Sequence, residues 1–119
     1  MNFPLKKRIA IFASGTGSNA KKIIEHFSDH DRIEVALIVS NKKNAGVLEI
    51  AEEHHIASIV ISREEFYHSN TVVQYLTTEQ IDLIALAGFL WLIPNNLIKA
   101  FPRKIINIHP ALLLSLIHI

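Results

Sequence analysis

The hydrophobic and polar residues of the chain form a regular pattern, in which short unbroken apolar runs are separated by longer amphipathic segments. Apolar runs of this kind, each bounded by a turn or cap signal, are typical of strands that are buried on both faces. The pattern predicts five strands, over residues 8–13, 33–40, 57–61, 83–87 and 104–108.

The segments between these runs carry apolar residues at helical spacing. Positions 20, 23, 24 and 27 form one face in the first segment, and positions 47, 48, 50 and 51 do so in the second. The third segment begins with a capping box, in which Ser62 is the N-cap and Glu65 the third helical residue, and a break is expected near Ser69-Asn70. Prolines flank the fourth segment. Helices are therefore predicted over residues 20–27, 45–54, 62–78 and 95–100.

Strands that alternate with helices in this order indicate right-handed crossovers. The predicted fold class is α/β, with a mostly parallel sheet and helices on both of its faces. Ligands of such sheets bind at the carboxyl ends of the strands. The search for functional residues therefore concentrates on the segments that follow the five strands.

The length, charge and composition of the chain exclude several classes of protein. The chain has 119 residues, a formal net charge of +1 and no cysteine. This length predicts one domain, and the charge gives no field that would favour nucleic acid or an acidic membrane as a partner. The lack of cysteine excludes disulfide scaffolds, thiol nucleophiles and Cys-based metal sites. No apolar run is long enough for an export signal or a membrane span, so a soluble, cytoplasmic protein is expected.

A glycine-rich segment, residues 14–19 with the sequence Ser-Gly-Thr-Gly-Ser-Asn, joins the first strand to the first helix. Its glycines permit close approach of a ligand, and the first N–H groups of the helix, with Ser18 and Asn19, are suited to hold a phosphate. The third glycine of a dinucleotide fingerprint is missing, and the segment is not a Walker loop. The pattern predicts a mononucleotide-type phosphate site, with a plain tight turn as the alternative.

Asn107 and His109 flank Ile108 at the end of the fifth predicted strand. Because residues two apart on a strand point to the same side, the amide and the imidazole are expected to project together. Such a pair is able to stabilise an oxyanion and to transfer a proton near neutral pH. A buried histidine beside an asparagine turn is an equally weighted alternative.

Two further candidates follow the third and fourth strands. Residues 87–94 form an aromatic, apolar loop that is suited to a flat heteroaromatic ligand, although composition alone favours a core-forming loop. Arg63 is placed to reach a phosphate or carboxylate, or is an ordinary surface arginine. The pair His26 and His30 is interpreted as structural, no metal site is predicted, and Lys42-Lys43 are interpreted as solvated loop charges.

Together these motifs resemble the phosphoribosylglycinamide formyltransferase family, folate-dependent enzymes of purine biosynthesis. The matching segments occur in the family's order within residues 6–113, at 9–19, 40–42, 62–64, 86–90 and 105–113. The Asn-Ile-His-Pro motif at 107–110 is shared by 10-formyltetrahydrofolate formyltransferases in general. The glycine-rich loop narrows the resemblance to the glycinamide ribonucleotide branch.

The resemblance implies a Rossmann-like formyltransferase fold and transfer of a formyl group from 10-formyltetrahydrofolate to the amine of glycinamide ribonucleotide. It implies that Gly17, Ser18 and Asn19 bind the substrate phosphate. His109 would donate a proton and stabilise the oxyanion, and Asn107 would bind the formyl region.

The resemblance also implies a set of cofactor-binding residues, in which Arg63 contacts the folate and residues 90–93 line the pterin pocket. Some relatives carry an arginine at the place of Trp91. Glycinamide ribonucleotide and folate are the expected partners, nucleic acid and membrane are not, and a homodimer is left open. The full cofactor set is Arg63, Leu90, Trp91, Leu92, Ile93 and Asn107.

The chain departs from the family pattern after Leu113. Residues 114–119 do not resemble the family, and no acidic residue follows Asp82 to match the aspartate that orients the family's histidine. We therefore expect residues 1–113 to be the N-terminal nucleotide-binding part of a formyltransferase domain and 114–119 a non-family tail. Such a truncated chain is expected to be inactive, or nearly so, by itself.

Two alternatives to this function follow from the same motifs. Another 10-formyltetrahydrofolate formyltransferase, or a formyltetrahydrofolate hydrolase, shares the Asn-Ile-His-Pro motif. A non-catalytic nucleotide-binding or interaction module built on the same half-sheet belongs to a different class.

Overall fold

The computed structural model describes residues 6–108. Strands and helices alternate along this range. Each predicted element is present there, and its ends lie within two residues of the predicted ones. None of the helices in this range is long and apolar enough to cross a bilayer. The elements in chain order are β1 (Lys7–Phe12), α1 (Ser18–Phe27), β2 (Ile33–Ser40), α2 (Gly46–Glu53), β3 (Ala57–Val60), α3 (Arg63–Tyr67), α4 (Thr71–Thr78), β4 (Leu83–Leu86), α5 (Asn95–Ala100) and β5 (Ile105–Asn107).

The five strands form one sheet in the order β3-β2-β1-β4-β5, and every pair of neighbours is parallel. Along the chain, β2 and then β3 lie on one side of β1, and β4 and then β5 lie on the other side. This reversal lies between β1 and β4, and the carboxyl ends of strands at such a reversal form the ligand crevice of open α/β sheets. The predicted fold class is confirmed.

Two apolar layers cover the two faces of the sheet. Odd-numbered residues of β1 pack against α1 and α2, while even-numbered residues pack against α3, α4 and α5. Because both faces are covered, the central strands carry unbroken apolar runs, over residues 9–12 and 35–39. The fully buried side chains of β1 and β2 include Ile11, Phe12, Leu37, Ile38 and Val39.

The predicted capping box and the predicted helix break are both confirmed. The N–H of Glu65 donates to Oγ of Ser62 at 3.1 Å, and the N–H of Ser62 donates to Oε1 of Glu65 at 3.0 Å. The helix is interrupted between α3 and α4. There the side chain of Asn96 donates to the carbonyl oxygen of Ser69 at 3.2 Å and to Oδ1 of Asn70 at 2.9 Å. These two hydrogen bonds join the segment between α3 and α4 to the start of α5.

The amino ends of the strands are connected through Arg8. Its Nε donates to the carbonyl oxygen of Glu79 and its Nη1 to Oε1 of Glu34, both at 2.9 Å. Oδ2 of Asp82 accepts the backbone N–H of Arg8 at 2.9 Å. Arg8 therefore connects β1 to Glu34, Glu79 and Asp82 at this edge of the sheet.

Candidate functional site

The glycine-rich loop leaves the carboxyl end of β1 and leads directly into α1. Its last residue, Gly17, is the N-cap of α1 and has a φ of 83°. A Cβ added at Gly17 would lie 2.8 Å from both Cα and Cβ of Val47 in α2. The left-handed backbone and the close approach of α2 both require glycine at this position.

The N–H groups of this loop and of the first turn of α1 are not used in hydrogen bonds within the described part of the fold. Within residues 6–108, none of the N–H groups of residues 15–20 has a hydrogen-bonding partner, and the first bonded one is that of Lys21, which donates to the carbonyl oxygen of Gly17 at 2.7 Å. No side chain caps α1, and its first turn has no acidic residue. Since a helix start with open N–H groups attracts anions, this geometry supports the predicted phosphate site.

An open depression of about 550 Å³ lies between the glycine-rich loop and the loop from β2 to α2. The N–H of Val47 donates to the carbonyl oxygen of Gly15 at 3.3 Å and so connects the two loops. Lys42 and Lys43 line the depression, and no carboxylate in residues 6–108 forms a salt bridge with either. Both are exposed loop residues, as predicted, and they lie beside the glycine-rich loop.

The loop that follows β4 is held against the end of β1 by a buried serine. Ser14 is 2% exposed; its Oγ accepts the N–H of Leu90 at 2.9 Å, and its own N–H donates to the carbonyl oxygen of Gly88 at 3.3 Å. The predicted phosphate loop and the predicted pterin loop therefore meet at this residue. The sequence contains no signal for this role, because the two segments are 76 residues apart.

Within that loop the side chains alternate between the core and the solvent. Trp91 and Ile93 pack against the apolar layer on the α3 side, whereas Leu90 and Leu92 are 71% and 84% exposed. Tyr67 donates its hydroxyl to the carbonyl oxygen of Leu92 at 2.6 Å. The loop is thus half core and half exposed apolar surface, which combines the two interpretations made from its composition.

Arg63 lies beside this loop, as the first residue of α3. Its Cζ is 4.7 Å from the centroid of the Trp91 ring and lies over the ring. A guanidinium at this distance is attracted to the negative face of the indole. The structure therefore brings together Arg63 and Trp91, two residues that the resemblance assigns to the cofactor.

Asn107 is the last residue of β5, where it pairs in register with Leu86 of β4 and is exposed. Ile108 is buried in the layer on the α1 side, and its N–H donates to the carbonyl oxygen of Leu86 at 2.8 Å. His109 lies outside the described residues. Its predicted projection beside Asn107 stays a prediction.

The histidines near the end of α1 have a structural environment. Nδ1 of His30 accepts the N–H groups of Arg32 and Ile33 at 3.0 and 3.1 Å, which shapes the turn into β2. In the described part of the chain, no three His, Asp or Glu side chains are grouped closely enough to hold a metal ion.

Residues 7–115 match the family described as formyl transferase. The chain is 41% identical over 116 residues to the chloroplastic phosphoribosylglycinamide formyltransferase of Arabidopsis thaliana, a match that covers 92% of this chain and 40% of that protein. It is 38% identical over 112 residues to the phosphoribosylglycinamide formyltransferase of Bacillus subtilis (strain 168), with 90% and 57% covered. The solved glycinamide ribonucleotide transformylase 1 of Geobacillus kaustophilus superposes with a TM-score of 0.80 at 38% identity, over 88% of this chain and 58% of that one. The chain thus spans about half the length of these relatives.

Proposed function

Because the chain belongs to the formyl transferase family, we propose that it forms the nucleotide-binding half of an enzyme of purine biosynthesis. The proposed reaction transfers a formyl group from 10-formyltetrahydrofolate to the amine of glycinamide ribonucleotide. The chain supplies the carboxyl edge of the sheet, on which the phosphate site and the folate loop lie side by side. The relatives named phosphoribosylglycinamide formyltransferase support this choice of substrate.

One observation carries the proposal: the row of open N–H groups at the start of α1. Gly17, Ser18 and Asn19 would surround the phosphate of the ribonucleotide with backbone N–H groups and two polar side chains. Lys42 and Lys43 would add positive charge from the far wall of the depression. A dianionic phosphate satisfies these donors and charges in one step, which an uncharged ligand does not.

The folate side of the proposal is supported by the loop after β4. Exposed Leu90 and Leu92 offer apolar surface to a flat ring, and the half-buried Trp91 and Ile93 form the base of the loop. Arg63 stands at the side of this surface with a positive charge suited to a carboxylate. The co-substrate 10-formyltetrahydrofolate combines a flat pterin with a carboxylate tail and so fits both features.

The formyl group would be transferred at the end of β5. Attack of the substrate amine on the formyl carbon produces a tetrahedral oxyanion, and loss of one preorganised donor at such a site typically lowers the rate about 10²–10³-fold. We assign the donor roles to Asn107, which would bind the formyl region, and to His109, which would stabilise the oxyanion and donate the proton to the leaving nitrogen. The exposed end of β5 is consistent with this role for Asn107.

Calorimetric titration of the 119-residue chain tests the phosphate site. We expect glycinamide ribonucleotide to bind and the matching riboside, which lacks the phosphate, not to bind measurably. Lys42→Met should weaken ribonucleotide binding roughly tenfold, as should Ser18→Ala combined with Asn19→Ala, since each removes contacts to a charged group. The matched control is Lys99→Met, which removes the same charge from the last turn of α5.

Equal affinity for the riboside and the ribonucleotide would contradict the phosphate site. An equal loss in Lys99→Met would mean that the lysine effect is one of total charge. A shift of the amide resonances of residues 15–20 on addition of ribonucleotide, absent with the riboside, would locate the phosphate at the start of α1.

The cytoplasmic location and the homodimer stay predictions. The Arabidopsis thaliana relative is named chloroplastic and the Bacillus subtilis relative is not, so the relatives give no common location. Gel filtration of the purified chain tests the dimer.

A further inference from the structure

Arg63 and Trp91 form a pair that connects two elements at the carboxyl edge. Arg63 begins α3, which follows β3, and Trp91 belongs to the loop that follows β4. β3 and β4 are separated in the sheet by β2 and β1. The contact of 4.7 Å between Cζ and the ring centroid therefore joins segments that follow two strands that are not adjacent in the sheet.

Both members of the pair are held by contacts of their own. Trp91 lies in an aromatic cluster, with ring centroids of Phe66, Tyr67 and Phe89 at 5.9, 6.0 and 6.2 Å. The Tyr67 bond to Leu92 and the Ser14 bond to Leu90 fix the backbone on either side of the indole.

Arg63 is held at its backbone by the capping box of α3. In this capping box, Oε1 of the Glu65 carboxylate accepts the N–H of Ser62. That carboxylate is therefore already bonded, and within residues 6–108 no acidic side chain forms a salt bridge with Arg63. Within the same range, no hydrogen-bond acceptor contacts the guanidinium of Arg63.

A guanidinium over an aromatic ring is held by its charge, and its N–H groups stay available. An ion pair with a protein carboxylate would orient the same arginine but would occupy those donors. Trp91 thus supplies orientation and leaves the donors of Arg63 open.

We propose that Trp91 is a positioning residue, whose indole holds the Arg63 guanidinium in place for a carboxylate of the folate co-substrate. This inference rests on the proposed function for its ligand. Trp91 acts through Arg63, so its replacement should weaken binding of ligands that carry the carboxylate tail more than binding of ligands that lack it.

The first test is independent of folate and uses the single tryptophan of the chain. Iodide, an anion, and acrylamide, a neutral molecule, are compared as quenchers of its fluorescence. We expect Arg63→Met to lower the iodide quenching constant about 2–3-fold, because the local attraction for anions is lost, and to change acrylamide quenching much less. Arg32→Met, an exposed arginine before β2, is the matched control and should change neither constant. Equal iodide quenching in the wild type and Arg63→Met would overturn the pairing.

The second test measures binding of 5-formyltetrahydrofolate and of 6-hydroxymethylpterin, which lacks the benzoyl-glutamate tail, by calorimetry or ligand-observed NMR. We expect Trp91→Leu to weaken binding of the folate at least about threefold more than it weakens binding of the pterin, and Trp91→Phe to restore most of that difference. Arg63→Met should have a smaller effect on folate binding in the Trp91→Leu chain than in the wild type, because the two residues act together.

The outcomes separate the two proposals. Folate binding that is unchanged by Trp91→Leu, or a loss that is equal for folate and pterin, would overturn the positioning role and leave the proposed function intact. Failure of the wild type to bind either ligand would contradict the folate side of the proposed function and with it the ligand assigned to this pair.

Discussion

Arg8 and Arg63 carry the same guanidinium at opposite edges of one sheet, and their surroundings differ. At the amino edge, Arg8 donates to a carbonyl oxygen and to a carboxylate, and its backbone N–H is accepted by Asp82. At the carboxyl edge, Arg63 lies over an indole and has no such acceptor within residues 6–108. The first arginine connects elements of the fold, and the second is available to something outside it.

The glycine-rich loop and the two lysines near it also leave donors open at the carboxyl edge. The N–H groups of residues 15–20 and the ammonium groups of Lys42 and Lys43 all lie at the carboxyl edge and lack partners in the described part of the chain. Open N–H groups at the start of a helix, with two lysines beside them, form a surface suited to an anion.

The largest expected effect comes from the glycine that shapes the carboxyl edge. Gly17→Ala would place a Cβ 2.8 Å from the Val47 backbone in a residue whose φ is 83°. The left-handed backbone costs about 1–2 kcal/mol and the overlap about 1–3 kcal/mol more, so we expect a loss of about 2–5 kcal/mol in the free energy of unfolding, measured by urea denaturation.

Gly88→Ala is the matched control for this prediction. Gly88 also has a positive φ, of 75°, but an added Cβ would meet nothing within 4 Å. Its cost should be the backbone term alone, about 1–2 kcal/mol. Equal losses in the two variants would show that the contact between the glycine-rich loop and α2 does not constrain this edge.

The comparison of the two arginines gives the next effect. Arg8→Met removes two hydrogen bonds at a half-buried site, and we expect it to lower the free energy of unfolding by about 1–2 kcal/mol. Arg63→Met should lower it by less than about 1 kcal/mol, since the cation–π contact is exposed. Binding should show the reverse order, with the folate titration affected by Arg63→Met only. If Arg63→Met proved the more destabilising of the two, the division between a structural edge and a binding edge would be wrong.

Local interactions explain why so much of the fold could be predicted from the sequence. The capping box joins Ser62 and Glu65, three residues apart, and the run of apolar residues in β1 reflects burial on both faces. Both signals are contained within a short segment. The glycine-rich loop is of the same kind, because its turn and the start of α1 are adjacent along the chain.

The contacts that complete the candidate site could not be predicted in this way. The bond from Leu90 to Ser14 joins residues 76 apart, and the contact of Arg63 with Trp91 depends on the strand order β3-β2-β1-β4-β5. Strand order is decided by the packing of the whole sheet and leaves no local pattern. For the same reason the location of Lys42 and Lys43 beside the glycine-rich loop could not be predicted.

The smallest effect concerns pH at the amino edge. Burial first, and then the charge of Glu79 and the hydrogen bond to it, raise the pKa of the Tyr75 phenol above its ordinary value. In the folded protein the neutral phenol is therefore favoured, and its contribution to stability is fully present below the ordinary tyrosine pKa, about 10. As the pH rises past that value, the unfolded chain loses its proton first and the contribution decreases until the folded phenol ionises too.

We expect urea denaturation between about pH 9 and pH 11 to show a steeper fall in stability for the wild type than for Tyr75→Phe. Identical slopes would contradict the role of Tyr75. Because Tyr75 lies outside the proposed ribonucleotide site, ribonucleotide binding in the two chains should change in parallel with pH, so alkali separates the amino edge from the carboxyl edge.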